Sequence, residues 1–179
     1  LFPILERLGH TVVPIYPALV PITARVKQFH KLQGVRLDVG LSLWEGNQRL
    51  GETTGNVMFT QDGFSGPAAM DLSHLVSMRP AASLRLVIDL VALRQNELLA
   101  LIARLRGQPV PLRVVLGAVM PAKIPPVVLS LAGFDPQVKL PEIPRRNSTG
   151  CYIWFPIWKL KSPAHAALSS PSFPLAASP

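Results

Sequence analysis

Cysteine is almost missing: the 179-residue chain has one, Cys151. That excludes an internal disulfide framework and any zinc or iron–sulfur site built on several thiolates. Long apolar runs are missing too. The charge-free stretch Ile124–Phe134 is broken by two prolines and Ser162–Pro179 is rich in Ser and Pro, whereas a membrane helix needs about 20 mostly apolar residues. The opening Leu1-Phe2-Pro3-Ile4-Leu5 has no basic n-region and no cleavage site, so it is no signal peptide and is expected to be the middle of a longer chain. His10, His30, His74 and His165 share no metal-ligand spacing, H-E-x-x-H is absent, and each reads as a surface or capped histidine. Neither G-x-G-x-x-G nor G-x-x-x-x-G-K-[ST] occurs, so the chain has no nucleotide-binding fingerprint. Asp38, Glu52, Asp62 and Asp89 fall on strands or turns with no evident pairing into an acid–base dyad. Cys151 lacks a basic helix-terminus context and reads as an inert thiol.

What is present bounds the class. Hydrophobic residues make up 49% and mean hydropathy is +0.32, too apolar for a disordered chain. Nineteen prolines are roughly twice the usual share of about 5%, and proline does not sit inside helices, so the chain must turn often. Acid is scarce, 10 Asp and Glu against 18 Lys and Arg, for a net charge of +8. Most of that excess lies in residues 94–146, where eight Lys and Arg face three acids. A nucleic-acid groove interleaves its cations with aromatics, and here the basic segment has only Phe134. The charge therefore reads as a solvated helical face or a contact with another part of a larger protein.

Periodicity divides the chain. Ile4–Gly9 has the form of a last helical turn closed by glycine, and His10–Val13 that of a strand, followed by an extended stretch with Pro14, Pro17 and Pro21. In Val35–Leu43 every second residue is apolar, Glu45–Gln48 supplies turn chemistry, and Arg49–Glu52 starts the return strand of a hairpin. Thr53–Thr60 is read as a further short strand and Leu84–Leu90 as another. Pro67 suits the first position of a helix. From residue 94 the period becomes helical, with Leu98, Leu99, Ile102 and Leu105 on one face and Gly107 as the stop. Leu112–Met120 and Val127–Leu131 follow as short helices between prolines. The expected fold is α+β: an incomplete antiparallel β-barrel-like unit over 1–93, a small helical subdomain over 94–146, and an irregular tail over 147–179. That tail holds five prolines and no acid and is expected to add no packed strand or helix. Its aromatic cluster Tyr152, Trp154, Phe155 and Trp158 is the part expected to dock, across an open barrel edge.

The most informative stretch is Gly55–Pro67, a strand, a glycine-rich turn and a helix start. Amide groups at a helix N-terminus can hold an anion or a carbonyl oxygen, and glycines let a ligand approach the backbone. The plainer reading is a tight turn with Ser65 capping the helix, and the residues alone favour it. Gly63-Phe64-Ser65-Gly66-Pro67 is also close to the nucleophile elbow G-x-S-x-G. Its last glycine is replaced by Pro67, Asp71 and His74 follow too closely to complete a triad, and His165 lies in the tail, so a hydrolase is set aside.

Three pieces in order resemble a known family: Leu8–Pro14 running into Pro17-Ala18-Leu19-Val20-Pro21, then Gly55–Pro67, which is similar to G-x-x-x-F-T-H-x-G-x-S-G-P, then Ile88-Asp89-Leu90 entering helices. The family is that of bacterial flavoproteins labelled aminoacetone oxidase family FAD-binding enzyme or NAD(P)/FAD-dependent oxidoreductase, including BaiN-like reductases. The likeness covers roughly residues 4–146. Gln61 stands where the family's motif has histidine, a departure that bears on any proton transfer there. The resemblance implies an FAD-binding dinucleotide fold interrupted by a β-barrel, itself interrupted by a small helical bundle, with this chain matching the insert. The loss of pattern after Arg146 is expected to mark a truncated or frame-shifted reading frame.

The expected function is thus the insert of a cytoplasmic FAD-dependent oxidoreductase, covering the flavin and shaping the site of a small-molecule substrate. Thr60, Gln61, Gly63, Ser65, Gly66 and Pro67 form the flavin- or substrate-facing turn, and Gly66→Val is expected to slow the parent enzyme with secondary structure intact. The chain alone is expected to bind no FAD and to be inactive, its partner being the FAD-binding domain of the parent; no metal, membrane or nucleic acid is expected, and no catalytic residue is assigned. The alternative is a non-catalytic barrel-plus-helices module whose basic face meets nucleic acid or protein.

Overall fold

The computed structural model describes residues 2–24, 27–79, 83–142 and 159–161. In chain order the strands are β1 (Ile22–Thr23), β2 (Arg36–Glu45), β3 (Gln48–Phe59), β4 (Gly63–Ser65), β5 (Leu84–Asp89) and β6 (Lys159–Lys161). The helices are α1 (Phe2–Arg7), α2 (Pro67–Ser77), α3 (Gln95–Arg104), α4 (Leu112–Gly117) and α5 (Ile124–Leu131), with 3₁₀ turns at Lys27–Leu32 and Leu140–Glu142. The strands form one sheet in the order β1-β4-β3-β2-β5-β6, every neighbouring pair antiparallel. The fold is α+β, a barrel-like antiparallel half with helices after it, as the sequence predicts.

Alternation decides which side of the sheet is dry. Successive side chains of a strand point to opposite faces, so Val39, Leu41 and Leu43 are buried while Arg36 and Asp38 stay exposed. The β2–β5 register sets Leu41 against Ile88 and Leu43 against Leu86, all four buried. Helix α2 covers this face with Ala68, Ala69, Leu72 and Val76. The two short strands expected on either side of Glu52 are one: β3 runs unbroken for 12 residues. A register shift at Leu43/Trp44 leaves one extra β3 residue, Leu50, between the Gly51 and Arg49 pairs.

The N-terminal helix ends as its glycine predicts, the amides of Gly9 and His10 reaching back to the carbonyls of Glu6 and Leu5 at 3.0 Å each. The strand expected at His10–Val13 does not form. That stretch is irregular and Val13 is 72% exposed, because Pro14 and Pro17 follow it closely and no strand among the described residues pairs with it. In the helical region Leu98 is buried but Leu99 is exposed; the inward stripe is completed by half-buried Leu101, Ile102 and Leu105. The helix expected to reach Met120 stops at Gly117. Pro125 and Pro126, read as separators, sit in the first turn of α5, where a missing N–H costs nothing. Leu112, Leu116, Ile124 and Leu129 join the buried cluster that begins on the sheet.

The tail needs a correction. Lys159–Lys161 pairs with β5, with Leu160 opposite Ile88 and Lys159 opposite Asp89. An unpaired strand edge accepts any extended backbone, so the sequence period of the tail was no guide to pairing. The aromatic cluster 152–158, with Cys151 and His165, lies outside the described residues.

Three rings tie the short elements together. Phe59 at the end of β3 meets Phe64 of β4 edge-on at 5.5 Å and Phe29 of the first 3₁₀ turn at 5.9 Å, and Phe29 lies 6.1 Å from Phe64. All three are at most 3% exposed. Such pairs add about 0.5–1.5 kcal/mol beyond area burial. Phe59→Ala should therefore lower stability by about 3–5 kcal/mol in urea unfolding, and a loss below about 1 kcal/mol would show that the rings do not join these elements.

Candidate functional site

The Thr60–Pro67 turn is built by backbone. The Thr60 amide donates to the Gly63 carbonyl at 2.9 Å, leaving Gln61 and Asp62 exposed at the tip. The Asp62 carbonyl accepts the Ala24 amide at 2.8 Å, and β4 pairs with β1 on one side and β3 on the other. Gly63 lies so close to β1 that a Cβ would overlap the Ile22 carbonyl oxygen and stand 2.9 Å from the Ala24 nitrogen. Gly66 has φ +96°, and a Cβ there would be 2.8 Å from the Asn56 carbonyl oxygen. Both glycines are thus required by the chain's own packing.

The helix start differs from the expected cap. Gly66 is the N-cap, no side chain caps the helix, and Ser65 is the last residue of β4, opposite Met58. The first helix amide with a backbone partner is that of Met70, bonded to the Gly66 carbonyl at 3.0 Å. Those of Ala68 and Ala69 come earlier, in the turn that has no intrahelical acceptors, but these residues are at most 1% exposed. The turn therefore offers a ligand exposed Gln61, Asp62 and Pro67 and half-buried Thr60 and Ser65, and little open backbone.

The other residues singled out are not assembled. Asp38 accepts the Asn56 side-chain amide at 3.1 Å, Glu52 pairs with Arg49, and Asp89 accepts the Val91 amide at 3.2 Å. The Nδ1 atom of exposed His74 is 2.8 Å from the Asp71 carbonyl oxygen, and His10 and His30 are exposed. Among the described residues no cluster of three His, Cys, Asp or Glu could hold a metal ion, and no helix is long and apolar enough to cross a membrane.

Sequence reasoning missed a cleft of about 480 Å³ on the sheet face opposite the core, with Gly40, Ser42, Trp44, Thr54, Arg85 and Asp89 in its lining. Trp44 Nε1 donates to Ser42 Oγ at 2.9 Å and the Arg85 guanidinium sits 5.6 Å from the Trp44 ring centroid. The polar positions of the same alternation that marked the core were the available signal.

A half-barrel of antiparallel strands leading into a compact set of short helices defines a barrel-plus-helices class. The chain belongs to the family described as HI0933-like protein barrel and H2TH domain, which matches residues 16–149. It is also 35% identical over 72 residues to the 3-dehydro-bile acid delta(4,6)-reductase of Clostridium scindens, an alignment that covers 40% of this chain and 18% of that protein. Both findings support the flavoprotein resemblance carried by Gly55–Pro67.

The geometry adds a packing cost to Gly66→Val that the sequence reading did not include. Gly66→Val should destabilise the chain by more than about 2 kcal/mol, since it combines left-handed strain with a backbone clash. Gln61→Ala, at the exposed tip, should change stability by less than about 0.5 kcal/mol. Urea midpoints of the two variants check both, and equal midpoints would refute the division of the turn into packed glycines and an open tip.

Proposed function

We propose that this chain is the barrel-and-helix insert of an FAD-dependent oxidoreductase, in which it covers the flavin and bounds the substrate site with the tip of the Thr60–Pro67 turn. The observation that carries the reading, beside family membership, is the exposed apolar surface of residues 2–19. Helix α1 buries no residue, and Leu8, Val13 and Leu19 are 70%, 72% and 63% exposed. Apolar surface of that extent marks a contact with something else. Most of it precedes residue 16, where the family match begins, so a neighbouring domain of the parent is the natural cover.

The described residues do not fit FAD by themselves. A dinucleotide fold holds pyrophosphate at a glycine-rich helix start open to the ligand, whereas here Gly63 and Gly66 face their own backbone and Ala68 and Ala69 are buried. The flavin's phosphates are therefore assigned to the parent's other domain. The redox chemistry is the cofactor's, and this chain's part is to shape the space beside it and keep water out.

Two measurements test this. Titrated with FAD, the 179-residue chain should show no quenching of flavin fluorescence. The complete polypeptide, read from the coding sequence on both sides, should purify with stoichiometric flavin that a reduced nicotinamide or an organic donor bleaches. A complete polypeptide free of flavin would refute the proposal, and salt-sensitive RNA retention by the chain would favour the basic-face module in its place.

A further inference from the structure

The segment joining residues 2–16 to the sheet holds a conformational outlier. Among the described residues Leu19 is the one non-glycine residue with positive φ, at 58°. In that region Cβ crowds the following carbonyl oxygen, which disfavours the conformation on the order of tenfold for an L-residue. Its side chain does not repay this by burial, being 63% exposed. Such an outlier persists only where its surroundings over-determine it.

The surroundings are specific. Pro17 and Pro21 hold φ on either side. Between them the Val20 amide donates to Ser73 Oγ at 3.1 Å. Ser73 lies in the second turn of α2 and is 1% exposed. Its hydroxyl donates to the Met70 carbonyl at 2.6 Å, and its own carbonyl accepts Ser77 Oγ at 3.1 Å. With its proton committed to Met70, the hydroxyl oxygen has a fixed lone pair aimed at Val20. The β1–β4 register, with Ile22 opposite Phe64, directs the chain before Ile22 past Ser65 and along α2. Leu19 thereby precedes a residue tied to the second turn of α2, the helix that starts where the turn proposed to face the substrate ends.

We propose that Ser73 is a positioning residue: by clamping Val20 it keeps Leu19 in the left-handed region and makes Pro17–Pro21 a rigid joint. The joint sets the direction in which residues 2–16 leave the barrel. Its consequence for catalysis rests on the proposed function, since that segment is the one assigned to meet the flavin domain. The joint itself is independent of flavin and is tested without it. A serine that merely satisfies a buried amide would, when removed, loosen α2 and the sheet together; a clamp loosens one segment.

The experiment is amide hydrogen exchange and ¹⁵N relaxation on the full 179-residue chain and three variants. Ser73→Ala should speed exchange at Val20 roughly three- to tenfold, the range expected for one lost hydrogen bond, and lower the order parameters of residues 13–20, with α2 and β3 still protected. Ser73→Thr, which keeps the hydroxyl, should restore the original pattern. Leu19→Gly removes the strain and leaves the clamp, so Val20 protection should persist and the melting temperature should stay level or rise. Unchanged exchange at Val20 in Ser73→Ala, protection lost evenly through α2 and the sheet, a Thr variant that behaves like Ala, or a lower melting temperature for Leu19→Gly would each overturn the proposal. If Ser73→Ala does not fold, the other two variants still decide. Flavin loading of the complete polypeptide is a separate readout, so failure of the joint and failure of the oxidoreductase reading are distinguishable.

Discussion

The close approach of backbones around β4 is the constraint on which the rest of the molecule depends. Three residues, Gly63–Ser65, must pair with β1 on one edge and β3 on the other while starting a helix one residue later. No Cβ fits at Gly63 or Gly66. With the backbones drawn together, Phe64 is placed against Phe59 and Phe29, and the first turn of α2 buries Ala68 and Ala69 against the sheet. The small residues and the rings are two halves of one arrangement: glycine and alanine let the elements approach, and phenylalanine fills the space that remains.

This gives the glycine-rich motif a physical meaning other than the obvious one. Glycines before a helix invite the idea of a ligand lying on exposed amides, as they do in phosphate-binding loops. Here the space next to them is already filled by Asn56 and Ile22 backbone. The motif can identify a family because its fold needs these residues, whatever binds nearby. Any role in binding falls to the side chains of the turn, and of these Thr60, Gln61, Asp62 and Ser65 are the polar ones with access to solvent.

Legibility in the sequence followed the range of the interactions. Strand β2, strand β5, the start of α2 at Pro67 and the end of α1 at Gly9 were all readable, because period and capping are local properties. The unbroken β3 was not, since Gly51 and Gly55 look like breaks until β2 is seen to pair along their whole length. Strands β1 and β6, of two and three residues, exist only through their partners. His10–Val13 failed the other way: it has strand residues and, among the described residues, no strand that pairs with it. In the candidate site, the position of the turn and the helix it leads into were legible, but the packing of its glycines, the half-buried place of Ser65 and the tie from Ser73 to Val20 were not. Each joins residues distant in sequence, and Ser73 carries no local mark that separates it from any other helical serine.

Burial along the chain also argues for how the molecule divides its work. From Ile22 to Leu140 the sheet, α2 and the helices share one dry cluster. Residues 2–19 have the composition of a core and the exposure of a surface, with α1 contributing nothing to that cluster. A buried barrel-and-helix unit attached to an exposed apolar segment accords with the proposed insert, in which the flanking chain would be covered by the host domain. The proline-bounded stretch containing Leu19 lies at that boundary. A flexible linker there would leave the turn at Thr60–Pro67 free to wander relative to whatever the segment binds, and a site shared between two domains loses catalytic power with displacements of about 1 Å. On the proposed reading, the strain at Leu19 accompanies the stiffness that a site shared with the flavin domain would require.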